Sequence, residues 1–568
     1  MIDVKKLASA IKGEVETSDE ALTAASHDAS LFEVRPQAVV YPKDVEDVKA
    51  MVRYATEHDG SDGEPKVTLT ARSAGTDMSG GPLTESIVVS FIKYFNHIKE
   101  VVEKRQGALG GAFQDIEISG YAVTEPGVYY RDFDKATMEK GGQMMPSYPA
   151  SRELCTVGGM VANNSGGEKT LTYGKTEQYV RRLKMICSDG NEYEFKALNG
   201  SELEEKKKLA SFEGDIYRGM TNLYDSDYNL LQKARPIVSK NSCGYYLWNM
   251  WNRDKTVFNL CKMIVGSQGT LGLVTEIEYA LVKPKKYSHL LVVFLTSLDQ
   301  LGETATHILE HKPESFESYD DQTLKVAFKF LPQLMKQMGG NLLTLGLEFM
   351  PEMMAVLEGG LPKLVLMAEF TADSDEEALK KAQEAQASLK SFHEKTRVTK
   401  TAHDENKYWV IRRESFNMLR KHIHGVRTAP FIDDFVVMPK DLPVFLPKLY
   451  ALLEPYKKDL TYTIAGHVGD GNFHIIPLMD LADPKAHKII EELSVKVYTL
   501  VHEFHGSITG EHNDGIIRTP FIKMQYGEEV YRLFEETKKI WDPKGIFNPG
   551  KKVGGTLEYA FSHIVKTS

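Results

Sequence analysis

The sequence predicts an α+β protein of more than one domain, whose first domain is built on a plan other than the Rossmann fold. Three observations lead there. A chain of 568 residues is longer than one hydrophobic core usually organises. Strand-like runs alternate with amphipathic helical patterns along most of its length. No GxGxxG follows a strand-like run and no GxxxxGKS/T occurs, so neither common phosphate-binding turn is present.

Taken in order, Gln37 to Ala55 begins as a strand, turns at Pro42, and continues with Val45, Val48, Met51, Val52 and Ala55 at helical spacing behind an Asp44 cap. Lys66 to Ala71 alternates like a strand and runs into ARSAGTDMSGGP, rich in residues that tolerate unusual backbone angles. Further strand-like runs fall around Ile87 to Phe91, Ile116 to Val123, Leu183 to Ser188 and Leu271 to Ala280. The charged stretch from about Glu192 to Ser239 reads as a surface insertion, because charge runs usually form solvated faces. Past Lys283-Pro284-Lys285-Lys286 the texture changes. His289 to Leu295 and Lys363 to Phe370 read as strands, Asp299 to Glu310 and Asp375 to Lys395 as helices, which suggests a second domain of helices on a sheet. The tail from Trp541, WDPKGIFNPGKK, has too many turn residues for a long helix and is expected to dock on an earlier domain.

The composition, 42% hydrophobic and 26% charged, is that of a folded globular protein. A net charge of -10 and a pI near 6.0 argue against a nucleic-acid partner. Cys155, Cys187, Cys243 and Cys261 form no CxxC pair, so they read as reduced thiols of a cytoplasmic protein rather than iron–sulfur or zinc ligands. The most apolar run, Leu290 to Leu295, is far short of the roughly 20 residues of a membrane span. Any membrane contact is expected to be peripheral, at the inner face.

Two glycine-rich loops carry the first chemical signal. Arg72-Ser73-Ala74-Gly75-Thr76 with Ser79-Gly80-Gly81, and the stretch from Thr156 through Gly158, Gly159, Asn163, Asn164 and Ser165, let backbone N–H groups approach one anion while Ser, Thr and Asn add donors. One glycine cluster is as well explained by a tight turn; two in one domain suggest the pyrophosphate of a dinucleotide. The second signal is AGHVGDGNFHIIP, read as a hairpin with His467 and His474 flanking the bend, followed by TGEHNDG with Glu511 and His512. Two histidines and a glutamate suit Zn²⁺ or Mn²⁺ with positions left open; a hydrogen-bonded cluster is the alternative.

At these residues the sequence resembles the vanillyl-alcohol-oxidase-type FAD family, in its branch of D-lactate, glycolate and D-2-hydroxyglutarate dehydrogenases. The resemblance runs from Pro36 to Lys551 through eight ordered motifs, among them ARSAGTDMSGG, TVGGMVANNSGG, GSQGTLGLVTE, GHVGDGNFH, GEHNDG and DPKGIFNPGK. It implies a non-Rossmann FAD-binding domain of two α+β subdomains (1–283), an α+β substrate or cap domain (284–515) and a C-terminal segment (516–568) returning to the flavin. Arg72 to Thr76 and Gly158 to Ser165 would embrace the pyrophosphate. Gly127, Gly269, Thr270, Gly272 and Val274 would lie along the dinucleotide, and Asn548 would approach the isoalloxazine. His467, His474 and Glu511 fall on the family's metal positions and His512 on its base, whose pKa a nearby cation would lower. Arg412 and Arg413, in WVIRRE, both match the segment that holds the substrate carboxylate, with the register open between them.

The sequence departs from the family in two places. Thr76-Asp77 stands where covalently flavinylated relatives often place a histidine, which implies noncovalent FAD, and Asn513 replaces a glycine common after the EH pair. The implied reaction is oxidation of a small D-2-hydroxy acid, with the hydroxyl proton passing to His512 and the α-hydrogen to flavin N5 as hydride. Reoxidation would need an external acceptor: a quinone, a cytochrome or an electron-transferring flavoprotein. The oligomeric state is left open, a homodimer included. Two other readings compete: a non-redox transferase of the alkylglycerone-phosphate synthase type, and an electron-transfer subunit without its own substrate site.

Overall fold

The computed structural model describes residues 2–60, 66–103, 116–330, 360–422 and 426–566. Parallel strands Ala38–Tyr41, Ile87–Ser90 and Leu69–Arg72 form the first sheet, with Glu14–Glu16 antiparallel at its edge. Helix Val45–Glu57 makes the crossover. Asp44 caps it by accepting from the Asp47 N–H, and Val48, Met51, Val52 and Ala55 bury against Val40, Leu69 and Val89. Ile186 and Leu273 join the same cluster from the second sheet, so this helix is shared by both halves of the first domain. The second sheet is antiparallel, ordered Ile98–Glu103, Gly120–Thr124, Leu273–Leu281, Val180–Ile186 and Glu192–Lys196. The expected α+β class is thereby borne out.

The stretch read as a surface insertion is instead partly core. Glu192–Lys196 is an edge strand, and helix Phe212–Ser226 buries Ile216, Tyr217 and Met220, with Tyr217 packed on Phe195 and Phe258. The run Glu204 to Lys208 lies on a solvated face, and its charges outweigh, in the sequence, the apolar spacing of the next helix.

The third sheet has seven antiparallel strands in the order Lys395–Val398, Tyr287–Leu295, Leu364–Ala372, Ser315–Asp320, Ile464–His467, Asn472–Ile475, Phe435–Val436. Both faces are covered, which explains the continuous apolar run at Leu290: Leu290 and Val292 join one core cluster, Leu291, Val293 and Leu295 the other. Among the described residues no helix is long and apolar enough to cross a membrane. The tail returns to the first sheet. The Leu69 N–H donates to Ile546 O (2.8 Å) and the Asn548 N–H to Leu69 O (3.0 Å), so the chain end pairs with the strand that feeds the first glycine loop. Asp542 organises this turn by accepting from the Ile546 and Phe547 N–H groups and from Lys538.

Asn548 is the tie in this arrangement. Its amide donates to Gly81 O (2.9 Å) and Gln268 O (2.7 Å), and its Oδ1 meets the Thr70 hydroxyl (3.1 Å), all away from water. Asn548→Ala would strand these buried partners and is expected to lower stability by about 1–3 kcal/mol in urea denaturation. An unchanged unfolding midpoint would show that the tail is not held here.

Candidate active site

A cavity opens between the two glycine loops. Ser73, Ala74, Gly75 and Thr76 line one wall; Thr156, Gly158, Gly159, Asn163 and Ser165 line the opposite one, and Gly269, Gly272 and Val274 close a side. Short helix Val157–Asn163 presents its first turn to the space, with Thr156 as cap accepting from the Gly159 N–H. The glycines differ in what they do. A Cβ on Gly158 would lie 2.5 Å from the Pro126 Cβ and 2.6 Å from its carbonyl oxygen, so this position must be bare for the loops to pack. At Gly159 the nearest atoms, Ser73 Cβ and Thr156 Oγ1, are 3.6 Å away, so the bare position faces the cavity.

Other expected residues stand behind the wall. Arg72 donates to His27 O (2.6 Å), and Gly75, at φ +71°, leaves room for its guanidinium. Ser79 bonds Asp77, Gly80 donates to Asp28, and Gly127 donates to Phe95 O. Asn164 ends the helix in the left-handed region and accepts from the Glu177 N–H, and the Thr270 hydroxyl meets Tyr245. None of these six, nor Asn548, lines the cavity. Sequence reasoning missed Asp77 as a hub. Its carboxylate takes the Ser79 and Gly81 N–H groups and the Asn163 amide (2.7 Å), joining the two loops. Gln268, another lining residue, accepts from the Gly515 N–H and so links the cavity to the loop after His512.

Glu511 and His512 line the same cavity. Around them the hairpin and loop bring the imidazoles together. Glu511 Oε1 lies 3.2 Å from His467 Nε2, 3.3 Å from His474 Nε2 and 3.9 Å from His512 Nε2. Each ring's other nitrogen faces a carboxylate: His467 Nδ1 to Glu317 (2.5 Å), His474 Nδ1 to Asp433 Oδ1 (3.2 Å), His512 Nδ1 to Asp433 Oδ2 (2.6 Å). An ionised carboxylate only accepts, so each Nδ1 carries a proton and each neutral ring would aim a lone pair toward Glu511. Acceptors converging on an acceptor need positive charge between them, either extra protons or a cation. Asp434, His474, Glu511 and His512 also offer ligand atoms within 4.8 Å of one another. Asp434, however, is already occupied, its Oδ2 accepting from the Glu511 and His512 N–H groups and from Thr509. His474 and Glu511 of that group belong to the expected donor set, and His467, whose Nε2 lies 3.2 Å from Glu511 Oε1, stands outside it; imidazole and carboxylate donors of this kind suit a divalent ion.

Charge at the cluster is tightly balanced. Burial opposes the Glu511 carboxylate, but Lys240 and the histidines hold its pKa well below the ordinary value. Lys240 is itself fully buried, its Nζ 3.2 Å from Glu511 Oε2 and 3.4 Å from Asp470. Burial likewise opposes an imidazolium at His474, yet Asp433 and Glu511 push its pKa up to about 10. His512 is shifted upward too, by Asp433 and Asp434 against burial, and a divalent ion would act in the opposite sense. The two arginines separate. Arg412 reaches Glu317 (3.2 Å), the partner of His467, and its buried Nε has no hydrogen-bond partner. Arg413 instead pairs through Nη2 with both oxygens of Glu168, at 2.8 and 2.6 Å. Glu317, Asp433 and Lys240 were not singled out by sequence, since each lies far along the chain from the motif it serves.

Residues 36–196 match the family model described as the FAD binding domain, and residues 284–552 the one described as FAD linked oxidases, C-terminal domain. The chain belongs to the FAD-linked oxidases. It is 28% identical to D-2-hydroxyglutarate dehydrogenase of Pseudomonas putida, over 96% of this chain and 51% of that protein. It is 25% identical to glycolate oxidase subunit GlcD of Bacillus subtilis (93% and 91% covered) and 26% identical to D-lactate dehydrogenase of Archaeoglobus fulgidus (91% of each). The chain spans about half the length of the first of these curated relatives. Among solved structures it shares the fold of 4-ethylphenol oxidase from Gulosibacter chungangensis, at TM-score 0.67 and 14% identity over 98% of this chain and 97% of that one. An alkyldihydroxyacetonephosphate synthase also shares the fold, at TM-score 0.63 and 14% identity, with 96% and 85% covered.

The two adjacent glycines allow folding and binding to be separated in this FAD-linked oxidase. Gly159→Val is expected to fold with a near-normal melting temperature and lose FAD, because its side chain enters the cavity. Gly158→Ala is expected to lose stability as well, because its methyl group meets Pro126. Flavin content and thermal melts of both variants check this; wild-type flavin in Gly159→Val would remove that turn from the binding site.

Proposed function

We propose that the chain oxidises a small D-2-hydroxy acid to its 2-oxo acid with noncovalent FAD, aided by a divalent ion, Zn²⁺ or Mn²⁺, on His467, His474 and Glu511. The observation that carries this reading is that Glu511 and His512 line the dinucleotide cavity while Glu511 Oε1 also collects the Nε2 atoms of His467 and His474. On this reading base, metal site and flavin would meet at Glu511 and His512. The names of the relatives, dehydrogenases of D-2-hydroxyglutarate and D-lactate and a glycolate oxidase subunit, support the substrate class.

His512 Nε2 accepts the hydroxyl proton, since its Nδ1 is committed to Asp433. Arg412 orients the substrate carboxylate. Both arginines face a carboxylate, Arg412 that of Glu317 and Arg413 that of Glu168, and Arg412 is preferred because it adjoins the cluster with its Nε donor to spare. The divalent ion would supply positive charge to polarise the hydroxyl. Bound FAD would supply the hydride acceptor and pass both electrons to an external quinone, cytochrome or electron-transferring flavoprotein. A transferase role has one observation behind it, the fold shared with alkyldihydroxyacetonephosphate synthase. At 14% identity that likeness speaks for the fold alone.

The loop from Arg72 to Met78 contains neither His nor Cys for covalent attachment. Acid precipitation is therefore expected to leave the yellow colour in the supernatant, and a coloured pellet would contradict noncovalent binding. Anaerobic mixing with D-lactate, glycolate or D-2-hydroxyglutarate is expected to bleach the flavin, and no bleaching by any 2-hydroxy acid would favour the transferase. His512→Ala is expected to slow bleaching by ~10² to 10⁴-fold with FAD retained, as for a lost acid–base group. A normal rate in stopped-flow measurements of His512→Ala or His512→Asn would take His512 out of the mechanism.

A further inference from the structure

We infer that Asp433 is a positioning residue that sets the tautomers of a metal-site histidine and of the base together, through one carboxylate. The inference rests on the reading of His467, His474 and Glu511 as a metal site and of His512 as the base.

Asp433 has no exposure to solvent, and both of its oxygens are used. Oδ1 faces His474 Nδ1 at 3.2 Å and Oδ2 faces His512 Nδ1 at 2.6 Å. The two rings lie nearly parallel, centroids 4.9 Å apart and planes inclined by 24°, with Asp433 between their Nδ1 atoms. The carboxylate cannot turn freely. Arg518, fully buried, donates from Nη2 to the Asp433 carbonyl at 2.7 Å, and Asp434, at φ +67°, sends its own carboxylate the other way to the Glu511 and His512 N–H groups. Adjacent aspartates thus divide the work: Asp434 holds the backbone of the loop, Asp433 the rings. Because an ionised carboxylate cannot donate, both Nδ1 atoms carry protons. The lone pair of each neutral ring is then at Nε2, on the side of Glu511. His467 is oriented separately, by Glu317. Asp433 therefore links the metal site to the base, and Glu317 does not.

Asp433→Asn is the discriminating variant, since it keeps shape but replaces one acceptor by an NH₂ group. The carboxamide accepts from one imidazole only, and the other ring must move its proton to Nε2. If the NH₂ group faces His474, Zn²⁺ affinity of the FAD-loaded protein, measured by chelator competition, is expected to fall ~10- to 100-fold, the usual scale for losing an outer partner of a metal ligand. If it faces His512, Zn²⁺ affinity holds and anaerobic flavin reduction slows by at least ~10-fold, since a ring protonated at Nε2 cannot act as base. Either result with unchanged FAD content supports the inference. Wild-type zinc affinity together with a wild-type reduction rate would overturn it. If wild-type protein itself binds no zinc, the metal reading falls, and Asp433 is judged on flavin reduction alone, an unchanged rate overturning the inference. Should Asp433→Asn fail to retain FAD, Asp433→Ala, which removes both acceptors without adding a donor, is measured in the same way.

Discussion

The structure depends on keeping a carboxylate, Glu511, ionised where water scarcely reaches it. A lone buried carboxylate would take up a proton, so its charge has to be met from within the protein. Lys240 meets Oε2, the imidazoles meet Oε1, and Asp434 fixes the backbone N–H of the same residue. These partners come from the segment around Lys240, from the hairpin of the seven-stranded sheet and from the turn just before strand Phe435–Val436. Satisfying one charge therefore requires several parts of the chain to meet at one point, and that point adjoins the dinucleotide cavity.

The same logic extends outward through buried lysines. Lys175 donates to Asn241 O (2.9 Å) and Gly510 O (2.6 Å), and Lys552 to Asp514 (2.9 Å), Ser242 O and Gly244 O. Segments 240–244 and 510–514 are thus stapled together by ammonium groups from beneath. Burial depresses the Lys175 pKa to about 8, with Glu177, Asp434 and Glu511 opposing the shift. Carbonyl acceptors and nearby acids together make the burial of these cations tolerable, and they fix the loop that carries Glu511 and His512 more firmly than apolar packing of so polar a stretch would.

How much of this was legible in sequence follows from range along the chain. The glycine loops and the His467/His474 hairpin could be read because each is a compact string whose residue types state its conformation. The helix Val45–Glu57 could be read from spacing and cap alone. Glu317, Asp433 and Lys240 could not, for a single acid or lysine within a strand or loop has the same local look whether it faces water or an imidazole 150 residues away. Arg412 and Arg413 show the limit most sharply. Adjacent on one helix, they differ only in which way each points, and tertiary contacts with Glu317 and Glu168 decide that.

Asn513 shows how the glycine loops and the loop of His512 are made parts of one element. This residue stands where the family commonly has a glycine. The backbone does keep a glycine-like φ of +70°, which asparagine tolerates better than most residues. The side chain donates to Asn163 O (3.1 Å), in the second glycine loop, and to Gly266 O (2.9 Å), at the start of GSQGTLGLVTE. Two residues on, the Gly515 N–H donates to Gln268, which also lines the cavity. The turn that carries His512 is therefore hung on the loops that line the cavity. Any shift of those loops would be carried to the His512 imidazole through these hydrogen bonds, so the loops and this ring are held as one element.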